Sequence, residues 1–141
     1  MPDKYAIDLN RMGRIYLEQG NYVEARQVLN ESLALARLDP SRLNPGVPLA
    51  QLGEVSLFEG NLEEAKAFLN EALEYLDESE SIFLAITKFD LAEIAFTEQD
   101  FGRAREWLEQ GYPYARLHLR RAMVYLCAVA GYLLLVPRGD K

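Results

Sequence analysis

Apolar residues three and four apart run through most of this chain, and polar turns interrupt them at a regular interval. Before the first turn the run is Leu9, Met12, Gly13 and Tyr16, and after it Ala25, Leu29 and Ser32. About forty residues later the same places hold Leu49, Leu52, Gly53 and Ser56, then Ala65, Leu69 and Ala72. A third copy holds Lys88, Leu91, Ala92 and Ala95, then Ala104, Leu108 and Gly111. This spacing puts the apolar residues on one stripe of a helix, so each copy predicts two antiparallel amphipathic helices around a short turn. The turns are Gly20-Asn21-Tyr22, Gly60-Asn61-Leu62 and Gln99-Asp100-Phe101, and Gly139-Asp140 repeats the motif near Lys141.

The pattern predicts first helices near residues 4–19, 47–59, 82–98 and 119–136, and second helices near 22–37, 62–77 and 101–116. The cluster Asp39-Pro40-Ser41-Arg42-Leu43-Asn44-Pro45-Gly46 separates the first pair from the second, and Asp77-Glu78-Ser79-Glu80-Ser81 does so more weakly. Pro113 is expected to bend or end its helix early. Asn21 with Glu24, and Asn61 with Glu64, approximate capping boxes; Asp100 can cap as well, but Arg103 replaces the acid. Gly13 opposite Ala25, and Gly53 opposite Ala65, would let paired helix axes approach closely, with Leu9, Met12, Tyr16 and Leu29 filling the space around them. One such pair cannot bury its apolar side alone, whereas stacked pairs can.

These residues resemble the signature of the tetratricopeptide repeat: a large apolar residue, then Leu-Gly, then Tyr in the first helix, and Ala, Phe or Leu, and Ala in the second. Leu52-Gly53, Gly60-Asn61 and Ala65 are the best match; the third copy lacks the Gly and the Tyr. The resemblance covers essentially the whole chain. It implies an all-α, right-handed superhelix of antiparallel helix pairs, with three and a half repeats and seven helices in one domain, 1–141. The repeats would span about 4–38, 47–78 and 82–117, with a half repeat at 119–141. The forty-residue spacing, longer than the common thirty-four, resembles the arrays of bacterial transcriptional regulators that carry signal-transduction ATPase modules.

Net charge narrows the partners. Twenty-two acids against fifteen bases leave a formal −7, which argues against a phosphate-neutralising nucleic-acid surface. A single cysteine excludes an intrachain disulfide framework, and Met-Pro-Asp-Lys begins without a hydrophobic signal region, so the expected location is cytoplasmic. The uncharged run Ala122–Val136 is shorter than the twenty or so residues of a membrane span.

No residue set supports an enzyme. His118, the only histidine, lies beside Arg116 and Arg120 with no acid to orient it, and Cys127 sits within an apolar run. The glycines form no phosphate loop, and Glu63-Glu64 and Glu78/Glu80 read as solvated faces rather than metal ligands. No catalytic residue, metal or cofactor is expected.

What remains is recognition. The family binds partners on the concave face lined by first helices, which the resemblance maps to Asn10, Arg14 and Glu18, to Ala50, Glu54 and Leu57, to Phe89, Glu93 and Phe96, and to Tyr125 and Tyr132. Glu54 and Glu93, where the groove continues, argue against the family's carboxylate clamp and suggest a partner with basic residues toward the middle repeats. Cys127, Ala130, Gly131 and Leu134 align with Leu9, Met12, Gly13 and Tyr16, so the last helix lacks its pairing helix and is expected to self-associate as a homodimer. The expected function is a protein-interaction scaffold, the sensing or oligomerising part of a larger bacterial regulator. Alternatives are a stand-alone adaptor or co-chaperone, or a peptide or small-ligand sensor with a pocket between Phe89, Phe96 and Tyr125.

Overall fold

A computed structural model describes residues 2–115, all of them in helices, turns and short connections. The chain forms two compact units, one reaching Leu76 and one beginning at Asp77. In the first, α1 (Pro2–Glu18) and α2 (Tyr22–Leu38) form one antiparallel pair, and α3 (Gly46–Phe58) and α4 (Leu62–Tyr75) form the next. In the second, one 3-10 turn (Glu78–Glu80) leads into α5 (Ser81–Thr97), which pairs with α6 (Phe101–Ala115). Every helix limit falls within two residues of the one the apolar spacing predicts. The half repeat at 119–141, with its helix near 119–136, lies outside the described residues.

The second helices of all three pairs bury one stripe at matching places: Ala25, Leu29 and Ser32; Ala65, Leu69 and Ala72; Ala104, Leu108 and Gly111. Their outward faces are mostly polar, as expected for a helix packed on one side, with Val23 and Leu38 of α2 as exposed apolar exceptions. Helix α3 is buried nearly all round, because α2 and α4 pack on different sides of it.

The three turns share one backbone design. Gly20 and Gly60 take left-handed φ values of +78° and +83°, and Gln99 takes +64°. The amides of Asn21, Asn61 and Asp100 then reach back to the carbonyls of Tyr16, Ser56 and Ala95 at 2.8–2.9 Å. Gly20, Gly60 and Gln99 donate to Leu17, Leu57 and Phe96 at 2.9–3.0 Å. Together these bonds close a Schellman motif at each helix end. The residue that closes one helix also opens the next. Asn61 Oδ1 accepts from the Glu64 amide at 3.2 Å, and Asp100 Oδ1 from the Arg103 amide at 3.2 Å.

Several local expectations are corrected. Asn21 makes no side-chain cap bond; its amide instead donates to Gln19 Oε1 at 3.2 Å. The reciprocal half of the box at Asn61 is also unused, since Glu64 turns to Ser56 and Arg26. Helix α6 continues through Pro113 to Ala115. The ring forfeits the amide bond to Glu109, but both residues lie on the exposed face, where water satisfies that carbonyl.

The long connection between α2 and α3 is tied down by Asn44, whose side chain accepts from the Gly46 amide at 2.8 Å and donates to the Tyr75 carbonyl at 3.1 Å. Asp77 caps the 3-10 turn, accepting from the Ser79 amide at 2.8 Å and from its hydroxyl. Those bonds hold the exposed Asp77 carboxyl below its ordinary range.

Candidate protein-binding surface

The repeats keep their shape by exchanging side-chain volume across matched contacts. A Cβ added to Gly13 would lie 2.5 Å from Leu29 Cδ2, and one added to Gly53 would lie 2.6 Å from Leu69 Cδ2. The atoms nearest each glycine are thus those of the leucines Leu29 and Leu69, while Ala25 and Ala65 are fully buried. One helical turn earlier a second contact recurs in three chemistries. Ser32 Oγ donates to Asn10 Oδ1 at 2.6 Å in the first pair. Ala50 and Ala72 occupy those positions in the second, both buried. In the third Phe89 fills the space above Gly111, where an added Cβ would stand 2.7 Å from Phe89 Cε1.

That trade changes the concave-face assignment. Phe89 is 1% exposed and belongs to the core with Ala85, Ala92 and Leu108, so neither a partner nor the proposed pocket can use it. Ala50 is buried too. Met12, placed in the core by its spacing, is 40% exposed.

The charged residues of this face are engaged within the fold. Arg14 Nη2 donates to Glu54 Oε1 at 2.6 Å, and Nη1 donates to Oε2 at 3.4 Å. These residues occupy equivalent positions in successive repeats, so the pair joins α1 to α3. Glu54 is largely buried in making it. The expectation that Glu54 reads a basic partner is corrected accordingly. On the same helices Glu18 is exposed, and Leu57, Glu93 and Phe96 are half-buried. Phe96 meets Phe101 edge to face, with ring centroids 5.3 Å apart. Tyr125, Tyr132, Cys127, Ala130, Gly131, Leu134 and His118 lie outside the described residues.

A second network joins the first two repeats at their turns. Arg26 Nη2 contacts Glu59 Oε1 at 2.5 Å, Glu64 Oε1 at 3.0 Å and Ser56 Oγ at 3.4 Å. The Ser56 hydroxyl lies 2.8 Å from Glu64 Oε1 and donates to it. That hydrogen bond first, and the Arg26 charge after it, hold the Glu64 carboxyl below its ordinary range. Beside this network Tyr22 and Phe58 stack at 6.3 Å and 14° between ring planes. Phe58 remains 57% exposed and Val23 64%. The sequence marked neither residue, although Phe58 following Leu57 interrupts an otherwise polar turn.

Lys88 stands where Leu9 and Leu49 stand in the other repeats. Its ammonium donates to Gln110 Oε1 at 3.1 Å and lies 5.9 Å from the ring centroids of both Trp107 and Tyr114. Partial burial pushes its pKa down, while the ring faces favour the cation.

Among the described residues no group of three or more His, Cys, Asp or Glu could hold a metal ion. No described helix is long and apolar enough to cross a membrane. A tetratricopeptide repeat model matches residues 3–78, and a second tetratricopeptide repeat model matches residues 85–110. The chain belongs to the tetratricopeptide repeat family. The first match covers the Gly13–Leu29 and Gly53–Leu69 contacts, and the second covers Ala92 with Leu108, the alanine version of the same contact. Neither the search of curated proteins nor that of solved structures gives a match. Tetratricopeptide repeats generally mediate protein–protein interaction, and a protein partner is the class of ligand that membership implies.

Proposed function

We propose that this chain is a non-catalytic protein-interaction scaffold, acting as the sensing or oligomerising part of a larger bacterial regulator. The carrying observation is the repeat itself: matched glycine–leucine contacts and Schellman turns make a scaffold whose side chains hold shape. Its partner-facing residues on the first helices are Glu18 and Leu57, with Glu93 and Phe96 in the third repeat. Arg14, Glu54, Asn10 and Phe89 support them from within. Residues Cys127, Ala130, Gly131 and Leu134 form the self-association strip, and the chain works in the cytoplasm.

Two experiments test this reading. A photo-crosslinking residue placed at Leu57 or Phe96 in cells should capture one discrete protein partner, lost when Glu18→Lys is added; absence of any adduct from both sites overturns the concave-face assignment. Reading the gene past the Lys141 codon tests the setting. An in-frame ATPase or helix-turn-helix segment supports the regulator, and an immediate stop codon favours the stand-alone adaptor.

A further inference from the structure

The most exposed aromatic ring on the described surface, Phe58 at 57%, lies off the first-helix face, at the edge where the turns of the first two repeats run side by side. Two contacts fix that adjacency: the Tyr22–Phe58 stack and the reach of Arg26 from α2 to Glu59 and Glu64. Tyr22 stacks beside Phe58, which stays more than half exposed. Val23, beside Tyr22, is 64% exposed. The surrounding charge is one-sided. Residues 18–26 and 58–66 carry Glu18, Glu24, Glu59, Glu63 and Glu64 against Arg26 and Lys66, five acids to two bases and so a net −3 of the chain's −7. Arg26 is consumed by Glu59 and Glu64, and Lys66 leans on Glu63 at 3.1 Å. The Glu63 side chain is still 82% exposed, and Glu24 is exposed one position after Val23.

An exposed apolar ring, an exposed β-branched residue and a surplus of carboxylates select for a flat cation carried among apolar neighbours. A guanidinium meets all three conditions, since it stacks on an aromatic face and retains N–H donors at its edge for carboxylates. A bare ammonium is strongly hydrated and has no plane to stack. We propose that this turn edge docks an arginine-bearing, otherwise apolar segment of a protein partner. The guanidinium lies on the exposed part of Phe58, beside the acidic turn that carries Glu63, and an apolar neighbour covers Val23. This rests on the scaffold reading above and assigns it a second surface, distinct from the first-helix face.

The test is a titration of the isotope-labelled 141-residue chain with the peptide acetyl-Leu-Arg-Leu-Arg-Leu-amide, followed by amide chemical shifts. Saturable shifts are expected at residues 20–24 and 58–63. They should be weaker with the lysine version of the peptide and absent with the glutamate version. Phe58→Ala, which removes an exposed side chain, should lower affinity roughly two- to fivefold, the range of a solvent-exposed cation–π contact. Glu63→Gln should weaken binding and flatten its salt dependence between about 0.05 and about 0.5 M ionic strength. Unchanged affinity in Phe58→Ala, equal binding of the lysine peptide, or no saturable shift overturns the turn-edge site. Shifts centred instead on Leu57 and Phe96 overturn it while leaving the scaffold reading intact, which the crosslinking at those positions tests separately.

Discussion

At the level of single residues, the glycines of this chain differ in what surrounds them, and substitution separates them. Gly53 faces Leu69 with no room for a methyl group. Gly53→Leu should therefore cost about 1–3 kcal/mol or more by overpacking, read as a lower thermal midpoint. Gly102 in α6 has nothing within 4 Å of an added Cβ. Gly102→Ala should stabilise by about 0.5 kcal/mol, because it restricts only the unfolded chain. Gln99 presents the reverse case. It holds a left-handed φ that Gly20 and Gly60 hold without a Cβ penalty, so Gln99→Gly should raise stability by up to about 1 kcal/mol once glycine's greater chain entropy is set against the relieved strain. A lower denaturant midpoint in that variant would contradict the turn geometry.

Pairs of helices obey a rule that no single residue reveals. Asn10 with Ser32, Ala50 with Ala72, and Phe89 with Gly111 are three solutions to one space, so a change on one side should be repaired on the other. Gly111→Ala alone is expected to destabilise the third pair, and Phe89→Ala alone to leave a cavity costing about 3–5 kcal/mol. The double variant places alanine at both positions, as Ala50 and Ala72 stand buried in the second repeat, and should be more stable than the sum of its parts, with a coupling of about 0.5–3 kcal/mol in a double-mutant cycle. Charge follows the same logic in the first unit. Glu54→Lys would set a lysine against Arg14, so it should lower the thermal midpoint, and Arg14→Glu combined with it should restore part of the loss. The Glu64 carboxyl titrates below its unfolded value of about 4.5. Its contribution is present above that pH and lost as the pH falls through the lower folded value. Burial and then the Asp77 charge push Glu80 up, so its cost is relieved on acidification. The difference between parent and Glu64→Gln isolates the first effect: the gap in thermal midpoint should close as pH drops below about 4.5, and a gap independent of pH would exclude the Ser56–Glu64–Arg26 network as its source.

Across the whole molecule, two compact units predict two groups of amide exchange rates, one over residues 2–76 and one from residue 77 onward. Gly53→Leu should speed exchange in the first group more than in α5 and α6. Light scattering at micromolar concentration tests the proposed dimer. The parent should be larger than a monomer, and Leu134→Glu should reduce it to one. Helix limits, repeat register and family were legible in the sequence because they depend on spacing and small residues, which any register preserves. Partner-facing residues were not. Phe89 and Glu54 differ from their apparent roles because exposure depends on the helix across the contact: Gly111 leaves room for Phe89, and Arg14 claims Glu54, while Met12 is exposed. Asn21 shows the same limit on a smaller scale, since its carboxamide found Gln19 before an amide of its own helix.

The shared residue at each turn, which ends one helix and begins the next, makes the two halves of a repeat a single geared part. Inserting one residue between Gly60 and Asn61 would rotate α4 by about 100° relative to α3, carrying Ala65 and Leu69 away from Gly53 and leaving no alternative register. The chain itself shows where length can vary. From the first pair to the second every matched position shifts by forty, and from the second to the third by thirty-nine. The missing residue falls after Ala72 and before Lys88, the stretch holding the linker from Leu76 to Glu80, while all three turns keep the same count. Growth or loss of residues in this protein is therefore channelled into the linkers between pairs, where Asn44 and Asp77 hold the chain by side-chain bonds. A one-residue insertion there should be nearly silent in a melting curve, and the same insertion at Gly60 should unfold the pair.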